Sequence, residues 1–289
     1  MVQQQIQSKC PLCGQEWLDA GQRGCTLVAT FPELTWVRCT CGLICKRSEA
    51  APDASSRAYD EAYFTESDRN SYNKRTHHRI KKAKIQIRNL LEHVPPGPLL
   101  DIGCSLGYGL RAANELGLQA VGLDISDFAV EECRKQGLSA ERGEITRIPF
   151  ADETFQMVVM KHILEHTADP RAVLREVRRV LRPNGGVFIS TPNADYNRAA
   201  RHPETSRFYR PEHAGRDHFI YYTPRTLSVI LEEELLFPVK IHPHVILRHA
   251  GAVTLLGRTV IAPMHAMAQV VADALALRKE FWLVALKGK

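Results

Sequence analysis

The sequence predicts an α/β protein with a mostly parallel sheet, helices on both faces, and a small cysteine-rich module in front. Short apolar runs alternate with helix-patterned segments from Leu99 onward. Helix-entry signals (Asp169-Pro170, Thr223-Pro224) and the turn Pro183-Asn184-Gly185-Gly186 punctuate that alternation. The module is predicted by cysteine placement: Cys10, Cys13, Cys25, Cys39, Cys41 and Cys45 all precede residue 46, and only Cys104 and Cys133 come later.

The elements follow in order. Residues 48–57 read as a linker and residues 59–64 as an aromatic-acidic patch. Over residues 71–94, Ile80, Ala83, Ile87, Leu90, Leu91 and Val94 recur at helical spacing. The opposite face carries Lys74, Arg75, Arg79, Lys81, Lys82, Lys84 and Arg88, and Pro95-Pro96-Gly97-Pro98 ends the helix. Strands are expected at 99–102, 119–123, 139–142, 155–160 and 187–190. Helices are expected at 108–116, from Ser126 to Gly137, after Pro170, and from Thr223 to about residue 236. Residues 239–247 and 281–286 read as the last strands, with an apolar, helical, lid-like or dimer-forming insert at about 250–278. The expected units are therefore 1–47, 48–94 and 95–289.

With 289 residues, 44% of them hydrophobic, the chain is not of the disordered or collagen-like classes. No apolar run approaches the roughly 18 residues of a spanning helix. The polar, glutamine-rich residues 1–9 do not read as a secretory leader, so a cytosolic location is expected. A net charge of +6 permits nucleic-acid binding without implying it.

In a reducing compartment, clustered cysteines point to metal. Cys10-Pro-Leu-Cys13-Gly14 has the spacing of a metal knuckle. Its counterpart, Cys39-Thr40-Cys41-Gly42, is one residue short. Cys41 takes the last ligand position, and either Cys39 or Cys45 completes the set. Tetrahedral zinc on Cys10, Cys13, Cys39 and Cys41 is the expectation, because so short a segment can hardly build a core of its own. The alternative is a ribbon that has lost its metal and keeps idle thiols.

Ligands of open parallel sheets bind at the carboxyl ends of the strands. The first such end is Asp101-Ile102-Gly103-Cys104-Ser105-Leu106-Gly107. The second strand ends at Asp124, where an acid can accept both ribose hydroxyls. Gly107-Tyr108-Gly109-Leu110-Arg111-Ala112 formally matches a dinucleotide fingerprint but lies too late after the strand. Asp101 would repel a diphosphate and attract a cationic tail. An adenosine ligand bearing a positive charge, S-adenosylmethionine, fits that site.

These residues, with Arg142-Gly143-Glu144, Ile148-Pro149-Phe150, Leu164-Glu165-His166, Leu181-Arg182-Pro183-Asn184-Gly185-Gly186 and Thr191-Pro192-Asn193, resemble class I S-adenosylmethionine-dependent methyltransferases. The cysteine module together with Tyr59-x-x-x-Tyr63-Phe64 is similar to a subgroup with a fused zinc ribbon. The resemblance implies a seven-stranded Rossmann-like sheet with the last strand antiparallel. It implies that Gly103, Ser105 and Gly107 pass close to the cofactor and that Asp101 lies near its amino-acid end. Asp124 would hold the ribose, Ile125 would flank the adenine, and Glu144 or Ile145 would address its amine; Lys161 joins this set. Ser105 stands where the family has a glycine, and Gln156 where it has an aspartate, a change read as structural.

Methyl transfer needs an aligned nucleophile and sometimes a base. Lys161, His162, Glu165, His166, Tyr196 and His218 are the candidates on the acceptor side, with His166, His162 and His218 as possible bases. Leu164-Glu165-His166 resembles a motif of ubiquinone-pathway O-methyltransferases in which acids and a histidine can hold a divalent ion. Here His162 replaces the first acid, so no metal is expected there. The expected acceptor is a small molecule, sugar or lipid-linked compound, methylated on oxygen, with peripheral membrane contact or a dimer conceivable. The alternative is an RNA methyltransferase, in which the ribbon and the basic helix hold phosphates.

Overall fold

The structure is a computed structural model. It describes residues 9–15, 25–32, 34–47, 59, 63–64, 76–196, 203, 206, 209–210, 218–242, 247–249, 252–255, 258–260 and 280–288. The expected linker at 48–57, the residues Lys74 and Arg75 of the basic face, and most of the apolar insert (261–277) lie outside the described residues.

The first described elements are antiparallel strands β1 (Cys25–Phe31), β2 (Leu34–Cys39) and β3 (Ile44–Arg47). Helix α1 (Thr76–Leu91) buries Ile80, Ile87 and Leu90, the apolar face its spacing predicts. The central sheet then begins with β4 (Leu99–Ile102), α2 (Tyr108–Glu115), β5 (Ala120–Asp124), α3 (Asp127–Lys135) and β6 (Ala140–Arg142). It continues with β7 (Phe155–Lys161), α4 (Pro170–Val180) and β8 (Leu181–Pro192). The short β9 (Ile220–Tyr221) precedes α5 (Pro224–Glu233) and β10 (Leu236–His242). Three small strands follow, β11 (Leu247–His249), β12 (Ala252–Leu255) and β13 (Arg258–Val260), and β14 (Glu280–Lys287) closes the sheet.

Helix entries behave as their residues dictate. Ser126 Oγ accepts from Ala129 N at 3.2 Å, and Asp169 Oδ1 from Ala172 N at 2.9 Å. Thr223 and Thr226 cap each other's backbone at the start of α5.

The sheet order is β10-β14-β8-β7-β4-β5-β6. Strands β4 to β8 pair in parallel, and β14 runs antiparallel to both of its neighbours. This is the Rossmann-like arrangement expected. Because β4 has β5 on one side and β7 on the other, the connections leave it in opposite directions, which opens a crevice at its carboxyl end. Leu100, Ile102, Val158, Met160, Val187 and Ile189 form the buried centre. Among the described residues, no helix is long and apolar enough to cross a membrane.

Three boundaries differ from expectation. The strand expected at 187–190 runs from Leu181 to Pro192, and the predicted turn at Pro183–Gly186 is a bend inside it, with Asn184 at φ 60°. Neighbouring strands hold that bend extended: Gly186 pairs with Leu286, and a Cβ on Gly185 would lie 3.0 Å from Gln156 O. Helix α5 ends at Glu233, and Leu235 (φ 58°) turns the chain into β10 three residues earlier than predicted. The part of the insert that is described is not helical: β11, β12 and β13 form an antiparallel sheet. Val253, Thr254, Thr259 and Val260 are β-branched, which favours extended chain.

The cysteine module does not stand apart from the core. Strand β3 pairs with β9, making a four-stranded sheet β1-β2-β3-β9. Trp36 is fully buried against Tyr209 and Tyr221, and its Nε1 donates to Tyr209 O at 3.0 Å. Arg171 on α4 donates to Pro11 O (2.9 Å) and Leu12 O (2.7 Å) and pairs with Glu233 and Glu234 of α5.

Candidate functional site

A pocket of about 510 Å³ opens at the carboxyl ends of β4, β5 and β7. One side is made by the loop after β4. Gly103, Ser105 and Gly107 all adopt left-handed φ (71°, 50° and 78°), which winds the loop back over the strand end. Gly103 N donates to Leu123 O at 2.7 Å. Ser105 N donates to Asp124 Oδ2 at 2.9 Å, and Ser126 N to Asp124 Oδ1 at 3.0 Å. Asp124 is thereby anchored at the end of β5. Ser105 keeps a glycine-like backbone although it is not glycine, and its Oγ is buried without a hydrogen bond.

The pocket gathers Asp101, Gly103, Ser105, Asp124, Ile125, Glu144, Ile145, Lys161, His162 and His166. Gly107 and His218 are not on its wall. Among the lining residues that the sequence reading did not name as site candidates are Gln86 on α1, Tyr108 on α2, Thr146, and Phe219 before β9. Gln86 carried a signal, since it is a buried polar residue in a helix with few of them. Tyr59, Tyr63 and Phe64 form an aromatic rim: Tyr63 sits 5.0 Å from both Tyr59 and Phe64, and Phe64 stacks on Phe128.

Burial pushes the Asp101 carboxyl up to about 7, against the opposing pull of Lys161 and with help from Asp124. Helix α2 packs so closely on it that a Cβ on Gly109 would collide with the carboxylate. Burial also raises Asp124, and the amides of Ser126, Ser105 and Ile125 oppose that rise. Lys161 is lowered, first by burial and then by Lys82. Its Nζ makes no hydrogen bond or ion pair among the described residues.

The three histidines differ. His162, at φ 53°, places Nδ1 3.0 Å from Glu165 Oε1 and Nε2 2.9 Å from Glu280 Oε2. Burial pulls its pKa down, yet the two carboxylates outweigh it and raise it to about 9. Both His162 nitrogens are thus engaged by carboxylates, which favours the imidazolium. Burial and the nearby His166 lower His218 to about 3, and its Nδ1 lies 3.0 Å from Tyr221 Oη. His166 meets His218 edge-on, with centroids 4.6 Å apart. Glu165 accepts from Thr191 Oγ1 at 3.1 Å. One ligand atom each from Glu165, His166 and His218 lies within 4.8 Å of the others.

At the module, the Sγ atoms of Cys10, Cys13, Cys39 and Cys41 lie within 4.8 Å of one another, with Cys10–Cys41 at 3.6 Å and Cys13–Cys39 at 3.4 Å. Gly14 N closes one turn onto Cys10 O and Gly42 N the other onto Cys39 O. Cys45 is not in the group. The Cys41 thiol is pushed up by the Cys10 thiol and by burial; a cation at the centre would reverse that. Four converging thiols suit tetrahedral zinc. Gln156 donates to Asn184 O at 2.9 Å, a structural role as expected.

Sheet order and pocket together define a Rossmann-like methyltransferase fold with a pocket at the strand ends. Residues 100–189 match the family described as "Methyltransferase domain". The chain is 30% identical over 126 residues to the ubiquinone biosynthesis O-methyltransferase of Methylococcus capsulatus, a stretch that covers 41% of this chain and 53% of that one. The chain thus spans about half the length of that curated relative. A solved S-adenosylmethionine-dependent methyltransferase from Archaeoglobus fulgidus superposes with a TM-score of 0.51 at 18% identity, covering 72% of this chain and 94% of that one. Another, from Thermotoga maritima, gives 0.52 at 15% identity, covering 75% and 95%. Residues 100–189 therefore match a methyltransferase domain, and the fold is the one these solved structures share.

Proposed function

We propose that the chain transfers a methyl group from S-adenosylmethionine to a hydroxyl of a small-molecule, sugar or lipid-linked acceptor. The observation that carries this reading is the pairing of Asp101 and Asp124 across the Ser105 loop, at the ends of adjacent strands and in one pocket. The residues fit the cofactor: Ser105 Oγ is a buried polar atom without a partner, and Gly109 leaves the space that Asp101 occupies. Asp124 would hold the ribose, Ile125 and Ile145 the adenine faces, Glu144 the exocyclic amine, and Asp101 the ammonium. When bound, the cofactor supplies an already activated methyl group, so the protein's work is alignment. The aromatic rim of Tyr59, Tyr63 and Phe64 and the ring of Phe219 exclude water from the acceptor end. His166 also lines the pocket, on the acceptor side.

Residues 1–47 are read as a zinc-bound ribbon on Cys10, Cys13, Cys39 and Cys41, and residues 95–289 as the catalytic unit. Zinc here is structural, bracing the wall that β3 builds with β9.

Calorimetric titration with S-adenosylmethionine and S-adenosylhomocysteine tests the reading. Binding of both, lost together on Asp124→Ala, supports it. No heat at millimolar ligand sinks it.

A further inference from the structure

We propose that Lys161 takes the proton from the hydroxyl that receives the methyl group, with its Nζ at the acceptor end of the pocket. The inference rests on the cofactor reading above and goes further by naming the base.

Four observations carry it. Lys161 is the last residue of β7, the strand beside the one that bears Asp101, and it lines the pocket. Its Nζ has no hydrogen bond or ion pair among the described residues. Each imidazole of the site has other engagements: His162 bridges two carboxylates, His218 is off the pocket wall, and His166, although on the wall, packs edge-on against His218 in the group with Glu165. The charges around it also favour a free amine. Arg79 and Lys82 face it from α1, Glu280 from β14 and Asp101 from β4, while His162 follows it in the chain. Glu280 is already taken by Lys82 at 2.5 Å and by His162 at 2.9 Å. Burial and the neighbouring cations therefore loosen the proton on Lys161.

The step balances. The acceptor's O–H bond breaks and its proton goes to Lys161 Nζ. The O–CH₃ bond forms as the S–CH₃ bond breaks, and that electron pair stays on sulfur. The ammonium then releases its proton to solvent.

The test is competitive labelling of the full chain with trace acetic anhydride across about pH 6–11, read by peptide mass spectrometry. Lys161 should react with a midpoint about one pH unit or more below that of exposed Lys81. S-adenosylmethionine should lower that midpoint further than S-adenosylhomocysteine does, because only the former brings a positive sulfur beside the amine. A midpoint equal to that of Lys81 overturns the proposal. So does a midpoint raised equally by both ligands, which would place Lys161 on the cofactor's carboxylate. A chain that binds neither ligand overturns the cofactor reading itself, and this one with it.

Discussion

His162 Nε2 lies 2.9 Å from Glu280 Oε2, a contact that spans 118 residues of chain and ties the end of β7 to the start of β14. The same ring reaches the fully buried Glu165 at 3.0 Å. The carboxylates raise His162 to about 9, and in return His162 and Lys82 pull Glu280 down to about 2. A group raised on folding contributes stability that is complete below its unfolded value, near 6.5, and is lost as pH rises through the folded value. The melting temperature should therefore fall by about 2–4 °C between neutral pH and about pH 10 for each kcal/mol that the ring contributes. His162→Gln should flatten that slope and cost about 2–4 kcal/mol, since it leaves Glu165 buried without its cation. Thermal scans across pH check both statements, and an unchanged slope in the variant would remove His162 as the cause.

Asp101 predicts a second pH effect, on binding. Its carboxyl is held near 7 by burial, so part of the population is protonated at neutral pH. A cationic cofactor prefers the ionised form. The dissociation constant for S-adenosylmethionine should fall as pH rises from about 6 to 8, and Asp101→Asn should abolish that trend. Calorimetry at stepped pH reads it directly.

Asp124→Ala should weaken S-adenosylhomocysteine binding by about 10- to 100-fold. The structure adds a reason beyond the ribose. Asp124 accepts the amides of Ser105 and Ser126, so removing it also loosens the loop over β4. Faster amide exchange at Ser105 in the variant would show that component, and unchanged affinity would mean the ribose lies elsewhere.

Gly109→Ala tests the packing of α2 on the site. The new Cβ would fall 2.9 Å from Asp101 Cγ and force the carboxylate aside. Affinity for S-adenosylmethionine should drop by about tenfold, with little change in far-ultraviolet circular dichroism.

Elemental analysis of protein purified without chelator should find about one zinc per chain. Cys13→Ser should lose it and lower the melting temperature. Because Arg171 holds the carbonyls of Pro11 and Leu12, loss of the metal should also quicken amide exchange in α4, well outside the ribbon. A metal-free ribbon with unchanged stability would leave the thiols idle.

Sequence legibility varied with the range of the interaction. The strand ends bearing Asp101 and Asp124 were readable because each is set by a local pattern: an apolar run, then an acid, then a glycine-rich turn. Cys10, Cys13 and Cys41 were readable for the same reason, through turn spacing. The choice of Cys39 over Cys45 was not, since β2 and β3 place those two thiols differently only once the strands pair. Phe219 and Glu280 carried no signal. Phe219 lines the pocket beside β9, which docks on the ribbon, and Glu280 meets His162 because β14 inserts between β8 and β10.

The sequence by itself determined the alternation of strands and helices, the helix caps, the acids at two strand ends and the thiol knuckles. All of these arise from contacts within a few residues, where periodicity and turn chemistry act directly. The tertiary structure decided which groups share a charge. It put Glu280 against His162, left Lys161 Nζ without a hydrogen bond among the described residues, and joined the ribbon to β9. Those outcomes depend on strand order and burial, which bring distant residues within hydrogen-bonding reach and change the protons they hold.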